Sequence, residues 1–169
     1  ARPTGASSGC RYGYTVSESI AGEFRKRYEV KYTTIRNVPV LRDPEPVQPG
    51  ERFILYQGAV NEARGFEFLI PAMKLVNCKL VICGDGNFMP QLKALIREHQ
   101  LEDKILLKGM LSPEELRLFS QTAYAGIAVA ENTGLNQYFA LPNKFFDYIH
   151  SGLPQVTMDY PEYRRINQE

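Results

Sequence analysis

The sequence has 169 residues, of which 44% are hydrophobic, 23% charged and 11% aromatic, and its 20 Lys and Arg against 19 Asp and Glu give a net charge of +1. A chain of this length folds as one globular domain that needs no disulfide or metal to hold it together. The near-neutral charge excludes a strongly basic nucleic-acid-binding protein and an acidic disordered chain. No apolar run approaches the roughly 20 residues that a membrane span needs.

The cysteines and histidines favour a cytoplasmic protein without a metal site. Cys10, Cys78 and Cys83 are odd in number, and the last two flank one apolar run, so we expect reduced thiols. The N-terminal residues contain no apolar stretch of the kind that a secretory signal requires. His99 and His150 lie far from any cysteine at metal-ligand spacing, so no metal site is predicted.

The first 50 residues differ in pattern from the rest of the chain. Ser17 begins a predicted helix that runs to about Tyr28, and residues 31–36 form a predicted strand. Residues 38–50 hold four of the eleven prolines, which predicts a linker or an extended crossover. We therefore divide the chain into an N-terminal segment, residues 1–50, and a domain of repeating strands and helices, residues 51–169.

The repeating region predicts an α/β fold. Its strands are short apolar runs, most of them followed by glycine, at residues 53–57, 79–83, 105–108, 125–130 and 154–158. The helical patterns between them cover residues 65–76, 89–99, a segment that begins at Ser112-Pro113-Glu114-Glu115, and 142–151. This alternation indicates a Rossmann-like, doubly wound parallel sheet with helices on both faces.

Two of these helices carry details that the structure can test. Pro71 interrupts the apolar pattern of residues 65–76, which predicts a kink or a late helix start. In residues 142–151, the side chains of Phe145, Phe146 and Ile149 are predicted to belong to the core.

The first candidate site lies after the first strand of the repeating region. Open parallel sheets bind ligands at the carboxyl ends of their strands. There, Gly58 and Gly65 permit close backbone approach, and Arg64 adds a cation near a helix N-terminus, which suits a phosphate. A plain strand-to-helix turn with a solvated Arg64 fits the same residues, so both interpretations stay open.

The second candidate site is the turn after the next strand. Gly84-Asp85-Gly86 is common turn chemistry and is weak evidence alone. Neither the G-x-G-x-x-G fingerprint nor a G-x-x-x-x-G-K-[ST] loop occurs in the sequence, which argues against dinucleotide-binding and P-loop proteins.

The strongest local feature is the helix that Pro142 opens. Pro142 preforms a first turn whose free N–H groups can face a phosphate, and Lys144 adds positive charge there. Asn143 and Asp147 lie four residues apart on one face, where the carboxylate could accept both hydroxyls of a ribose. Asp147 could equally be a carboxylate that stabilises the helix macrodipole, and His150 is expected on a solvated or partly buried face.

Four segments in this order resemble the nucleotide-sugar-binding, C-terminal domain of the group 1 retaining glycosyltransferases with the two-Rossmann-domain (GT-B) fold. They are Gly58 to Gly65, VICGDG, LLKGMLSPEEL and PNKFFDYIHSGLPQV. The resemblance covers residues 53–158. Residues 12–37, with TVSES and IRNVP, are similar to the family's hinge region.

The resemblance implies residue roles, and the sequence departs from the family pattern at two positions. Arg64 stands where the family has a Lys that binds the donor diphosphate, but Ala59 replaces the accompanying Arg. Asp147 takes the position of the second acid of the Glu-x7-Glu motif, which holds the ribose, whereas Phe139 replaces the first acid. Glu131 is a candidate for that missing carboxylate.

The remaining implied contacts are to the diphosphate and the nucleobase. Pro142, Asn143 and Lys144 resemble a subgroup in which these residues face the diphosphate. Lys108-Gly109-Met110 matches the strand end that borders the nucleobase. The resemblance thus implies Arg64, Lys144 and Glu131 as catalytic residues. It implies donor binding by Gly58, Gly65, Gly84, Lys108, Gly109, Met110, Pro142, Asn143 and Asp147.

The resulting hypothesis is a glycosyltransferase fragment that binds the nucleoside diphosphate of a UDP- or GDP-linked sugar. The reaction would transfer a hexose to a glycan or lipid-linked acceptor, and it would need no cofactor or metal. The resemblance also implies retention of configuration, a role in polysaccharide biosynthesis, peripheral membrane association of the full-length enzyme and a missing acceptor-binding domain upstream of residues 1–50. A non-catalytic nucleotide- or phosphosugar-binding module is the alternative. An unrelated flavodoxin-like or response-regulator-like domain is a third possibility. The response-regulator-like domain needs clustered acids at the first strand end, and Gly58-Ala59-Val60 supplies none.

Overall fold

A computed structural model of the chain describes residues 11–40, 42 and 50–168, so Cys10 and most of the predicted linker lie outside the described residues. The strands are β1 (Tyr12–Thr15), β2 (Lys31–Thr34), β3 (Phe53–Gln57), β4 (Lys79–Cys83), β5 (Ile105–Gly109), β6 (Ala125–Ala128) and β7 (Gln155–Thr157). The helices are α1 (Glu18–Tyr28), α2 (Phe66–Ala72), α3 (Met89–Glu98), α4 (Pro113–Gln121), α5 (Leu135–Tyr138), α6 (Asn143–His150) and α7 (Pro161–Gln168).

The main sheet has five parallel strands in the order β5-β4-β3-β6-β7. The order reverses between β3 and β6, because the chain builds outward from β3 to β5 and then returns to the other side of β3. This reversal is the topological switch point of a doubly wound sheet, where ligands bind at the carboxyl edge. The predicted α/β fold class is therefore confirmed.

Helices cover both faces of this sheet because its central strands are apolar on both sides. Tyr56, Leu80 and Ile82 face one layer, where they pack against α2 and α3. Leu55 and Val81, one residue away along the same strands, face the other layer, which contains α4 and α6. The alternation of side chains along each strand thus supplies two separate cores.

The buried Tyr148 fixes α6 on the sheet. Its hydroxyl donates to the Leu55 carbonyl over 3.0 Å and accepts from the Gln57 N–H over 3.2 Å, so α6 is bonded directly to the backbone of β3. Its ring lies against Gly126 of β6, where a Cβ would come within 2.6 Å of the ring carbons. Glycine at this position is what lets the helix approach the strand.

The N-terminal segment forms a small unit that contacts the last helix. β1 and β2 pair in parallel around α1, and Ser17 caps that helix by accepting the Ile20 N–H. The fully buried Glu162 of α7 accepts the Ser19 N–H over 2.9 Å, and Arg165 donates to the same carboxylate. The first turn of α1 is thereby held by a carboxylate from the opposite end of the described chain.

Several local predictions were wrong at their edges. The pattern over 65–76 forms α2 only to Ala72 and then a 3-10 turn, Met73–Leu75. Pro71 lies in the last turn of α2, where its missing N–H removes a helical hydrogen bond, so it marks neither a late start nor the end residue of the helix. The predicted strand at 31–36 ends at Thr34, and the strand at 125–130 ends at Ala128. The sequence analysis did not predict β1, α5 or α7.

Ile149 is not a core residue. It is 47% exposed, because α6 contacts the sheet through Tyr148 and contacts α7 through Phe145, whose ring centroid lies 5.1 Å from that of Tyr163. Phe145 and Phe146 are buried as predicted. Cys78 and Cys83 are free thiols.

Among the described residues, no helix is both long and apolar enough to cross a membrane.

Candidate functional site

Glycines join the carboxyl ends of three neighbouring strands. The Gly58 N–H donates to the Cys83 carbonyl over 2.9 Å, and the Gly84 N–H donates to the Gly109 carbonyl over 2.8 Å. At Gly84, which has a φ of 149°, a Cβ would lie 1.9 Å from the Gly58 carbonyl oxygen, so no other residue fits. At this edge of the sheet, the backbone is therefore covered by few side chains, and a ligand could approach it closely.

Two cations border this glycine edge. The Lys144 ammonium lies 3.8 Å from the centroid of the Tyr56 ring and directly beside Gly58, and the Arg64 guanidinium is close enough to affect it. Burial, with repulsion from Arg64, lowers the pKa of Lys144 to about 7. Within the described residues, no carboxylate pairs with either cation. Such a charge pair is stabilised by a bound anion.

The N-terminus of α6 adds donors on the same side. Pro142 precedes the first turn, and the N–H groups of Asn143 and Lys144 have no acceptor within the helix. The Asn143 side chain accepts a hydrogen bond of 3.0 Å from the Asn37 side chain. The N–H groups, the macrodipole and the Lys144 side chain all favour negative charge at this point.

Asp147 lies one turn further along α6 and belongs to a chain of polar side chains from three elements. The Gln57 amide at the end of β3 donates to Asp147 Oδ2 over 2.9 Å. Ser120 of α4 lies with its hydroxyl 3.0 Å from the Gln57 amide oxygen. Burial raises the pKa of Asp147, while the hydrogen bond from Gln57 opposes that shift.

A cavity of about 170 Å³ lies next to this polar chain. Leu116 of α4 and Asp147 of α6 border it on two sides, and Pro39 and Val40 of the crossover segment border it on a third. Arg42 of the same segment pairs with Glu114 over 3.2 Å. Pro39, Val40 and Arg42 thus lie across the groove between α4 and α6.

The structure places the predicted site residues in two groups. Gly58, Arg64, Gly84, Gly109, Pro142, Asn143, Lys144 and Asp147 lie along the carboxyl edge of β3, β4 and β5 and at the start of α6. Lys108 is at the same edge, but its ammonium lies over the Phe119 ring, 4.8 Å from the centroid, and Met110 is exposed.

Glu131 and Gly65 form the second group. The Glu131 N–H donates to the Ala63 carbonyl over 3.1 Å, which holds the loop after β6 beside the Arg64 loop. The Glu131 side chain borders a different cleft, with Phe68 and Met158, and not the cavity beside Asp147. Its assignment as the missing carboxylate stays a prediction.

The sequence analysis missed three residues of the site, namely Tyr56, Gln57 and Ser120. Gln57 was the most accessible to sequence reasoning, because it is the one polar side chain in the otherwise apolar strand β3. Tyr56 resembled core, and Ser120 resembled an ordinary helix residue, since neither is near Lys144 or Asp147 in sequence.

The family profile described as "Glycosyl transferases group 1" matches residues 38–169. The chain belongs to this family. Among curated proteins, it is similar to the alpha-monoglucosyldiacylglycerol synthase of Streptococcus pneumoniae, with 24% identity over 143 residues, 80% of this chain and 30% of that protein. The chain thus spans about a third of the length of this relative.

The solved structures share the fold. Staphylococcus aureus TarM, in complex with fondaparinux, alpha-GlcNAc-glycerol and UDP, superposes with a TM-score of 0.68 at 17% identity, over 88% of this chain and 30% of TarM. The pneumococcal O-GlcNAc transferase GtfA, in complex with UDP and GlcNAc, superposes with a TM-score of 0.62 at 23% identity, over 89% of this chain and 30% of GtfA. The chain is therefore a portion of a GT-B glycosyltransferase fold.

Proposed function

We propose that this group 1 glycosyltransferase chain binds the nucleoside diphosphate of a sugar donor at the glycine edge of its sheet. The observation that carries the proposal is a pair of cations without an acidic partner among the described residues: Lys144, which lies beside Gly58, and Arg64, which is close enough to Lys144 to lower its pKa. Two neighbouring cations destabilise each other unless an anion lies between them, and the helix N-terminus beside them favours the same charge.

The chemistry that this arrangement favours is departure of a diphosphate leaving group. As the bond from the sugar to the diphosphate breaks, negative charge grows on the phosphate oxygens. Arg64, Lys144 and the first N–H groups of α6 would stabilise that charge, which lowers the barrier electrostatically. In this proposal the protein supplies the positive charge itself, and transfer retains the configuration at the sugar carbon.

The relatives guide the choice of donor and acceptor. TarM and GtfA are both described in complex with UDP, which makes UDP the first nucleotide to test. The similarity to a glucosyldiacylglycerol synthase favours a hexose donor and a lipid-linked or glycan acceptor. A cytoplasmic location and peripheral membrane association of the longer enzyme stay predictions.

Calorimetric titration of the 169-residue chain with UDP, GDP and ADP tests the proposal. We expect one nucleotide to bind, and Lys144→Ala and Arg64→Ala each to weaken its binding about tenfold or more, because each removes a charge-assisted contact. We expect Lys144→Ala to leave the melting temperature nearly unchanged, because the charged form of this lysine has no ion-pair partner to lose.

Lys93→Ala is the matched control, since Lys93 is an exposed lysine of α3, which packs on the opposite face of the sheet from α6. Unchanged nucleotide affinity in both Lys144→Ala and Arg64→Ala would contradict the site. Sugar transfer by the full-length protein, lost in the same two variants, would separate a transferase from a module that only binds nucleotide.

A further inference from the structure

We propose that Gln57 and Ser120 are positioning residues that hold the Asp147 carboxylate for a ribose, so that this site prefers ribonucleoside over 2′-deoxyribonucleoside diphosphates. The inference rests on the proposed function, because it assumes that a nucleoside diphosphate occupies the glycine edge. It adds two residues from β3 and α4 to a site otherwise built from loops and α6.

The first observation is that a row of hydrogen-bonded polar side chains is buried at a place where apolar side chains would serve the fold. Gln57 is 3% exposed and Ser120 is 1% exposed, and both face the second core, among apolar side chains such as Leu55 and Leu116. A buried amide costs free energy unless its groups are bonded, and an apolar residue would fill the end of β3 without that cost. Here the amide is bonded on both sides, to Ser120 and to Asp147.

The second observation is the direction of the Gln57 amide. Its nitrogen donates to Asp147 Oδ2, and its oxygen lies 3.0 Å from the Ser120 hydroxyl, which also lies 2.7 Å from the Leu116 carbonyl. The reverse amide orientation would set an amide oxygen against a carboxylate oxygen, two acceptors without a hydrogen between them. The carboxylate therefore fixes the orientation of Gln57, and the Ser120 hydroxyl, which can donate to the amide oxygen or to the Leu116 carbonyl, is compatible with it.

The third observation is that one oxygen of the Asp147 carboxylate is available to a ligand. Gln57 engages one oxygen of Asp147, and the other oxygen has no hydrogen-bond donor among the described residues, while the residue borders the cavity between α4 and α6. A ribose presents two adjacent hydroxyls to such a carboxylate, whereas a 2′-deoxyribose presents one. A carboxylate that Gln57 holds in place distinguishes the two sugars, because it cannot reorient to improve its hydrogen bond to the one hydroxyl of the deoxyribose. A mobile carboxylate could reorient in this way and would bind the two sugars more equally.

The experiment compares UDP and GDP with their 2′-deoxy counterparts by calorimetry on the 169-residue chain. We expect wild-type protein to bind the ribonucleotide about tenfold more tightly, which is one charge-assisted hydrogen bond. In Gln57→Leu the ratio should fall to within about threefold, through weaker binding of the ribonucleotide. Ser120→Ala, a smaller change that keeps α4 intact, should reduce the ratio in the same direction.

Two further variants make the result specific. In Asp147→Asn the preference for the ribonucleotide over the 2′-deoxyribonucleotide should be lost. Adding Gln57→Leu to this variant should not change the ratio of the two affinities further, because Gln57 acts through Asp147. Gln155→Leu is the matched control, since Gln155 is a strand glutamine that donates to the Phe145 carbonyl over 3.1 Å and does not contact Asp147. It should keep the wild-type ratio whatever it does to stability.

An unchanged ratio in folded Gln57→Leu and Ser120→Ala proteins would overturn this inference and leave the proposed function standing. Failure of the wild-type chain to bind any of the four nucleotides would overturn both.

Discussion

At the residue scale, the candidate site holds two cations, Arg64 and Lys144, whose mutual repulsion does not stabilise the folded chain. Lys144 is partly buried on the Tyr56 ring, beside Arg64 and away from any carboxylate among the described residues. Burial and like charge both disfavour the protonated lysine, and an anion reverses both effects. Such strained electrostatics are typical of functional sites rather than of structural ion pairs.

This arrangement predicts proton uptake on nucleotide binding. The pKa of Lys144 is about 7 in the free protein, because of burial and of Arg64, and a bound diphosphate should raise it. Affinity is then full below pH 7 and falls as the pH rises through that value, because the lysine must gain a proton to bind. Calorimetry at pH 7.5 in buffers of different ionisation enthalpy measures the uptake directly.

Lys144→Arg is the control for that experiment, because arginine stays protonated throughout this range. We expect its binding to lose the decline above pH 7 that the wild type shows. Equal pH profiles for the two proteins, with no buffer dependence in the wild type, would show that Lys144 does not titrate at the site.

Residues close in sequence were predictable here, and residues brought together by the fold were not. Asn143, Lys144 and Asp147 share one helix, so the common face of Asn143 and Asp147 and the place of Lys144 in its first turn followed from their spacing. Gln57 and Ser120 come from β3 and α4, and only the register of the sheet and the packing of α4 on it bring them to Asp147. Nothing in the spacing of these residues along the chain encodes that proximity.

At the element scale, the position of α6 decides the geometry of the site, since it carries Lys144 and Asp147. Tyr148 bonds the helix to the β3 backbone, and the missing side chain of Gly126 makes room for the Tyr148 ring. A small displacement of α6 would move both functional side chains relative to the glycine edge. The buried face of the helix is thus part of the construction of the site.

Gly126→Ala should therefore destabilise the protein by about 1–3 kcal/mol, because its Cβ would overlap a ring that two hydrogen bonds hold in place. For a chain of this size, each kcal/mol lowers the melting temperature by roughly 2–4 °C. Gly22→Ala in α1 is the matched control: no atom lies within 4 Å of its Cβ position, so alanine should stabilise that helix slightly. Similar melting temperatures for the two variants would contradict this account of how α6 packs.

The elements that were predicted best from the sequence are marked by residues that favour a helix start. The helix that begins after Ser112 has the full capping box, with Ser112 and Glu115 each bonded to the other's backbone, as their spacing predicts. By contrast, β1 is a four-residue strand that pairs, in the part of the chain that the structure describes, with β2 alone, and α5 is a single turn. Elements this short are stabilised by tertiary contacts, which the pattern of residues does not record.

At the scale of the whole molecule, the N-terminal segment and the main sheet are joined at α7 and at the loop before α6. Glu162 accepts the Ser19 N–H in the first turn of α1, and the Ser17 hydroxyl donates to the Phe139 carbonyl over 3.0 Å. By the resemblance given in the sequence analysis, Phe139 stands where the family motif has its first acid. A position that lacks its carboxylate thus contributes its backbone to the attachment of the N-terminal segment.

The 169-residue chain covers only part of each relative. It spans 30% of the pneumococcal synthase and 30% of TarM, and the GT-B pattern that it resembles completes its cleft with a second Rossmann domain. In the proposed function, Arg64, Lys144 and the N-terminus of α6 would stabilise a leaving diphosphate, but acceleration of transfer also requires an acceptor held against the sugar carbon. We therefore expect this chain to bind UDP or GDP without releasing UDP from UDP-glucose in the presence of diacylglycerol vesicles, in an assay where the full-length protein turns over. Robust transfer by the 169 residues would show that they already hold both substrates.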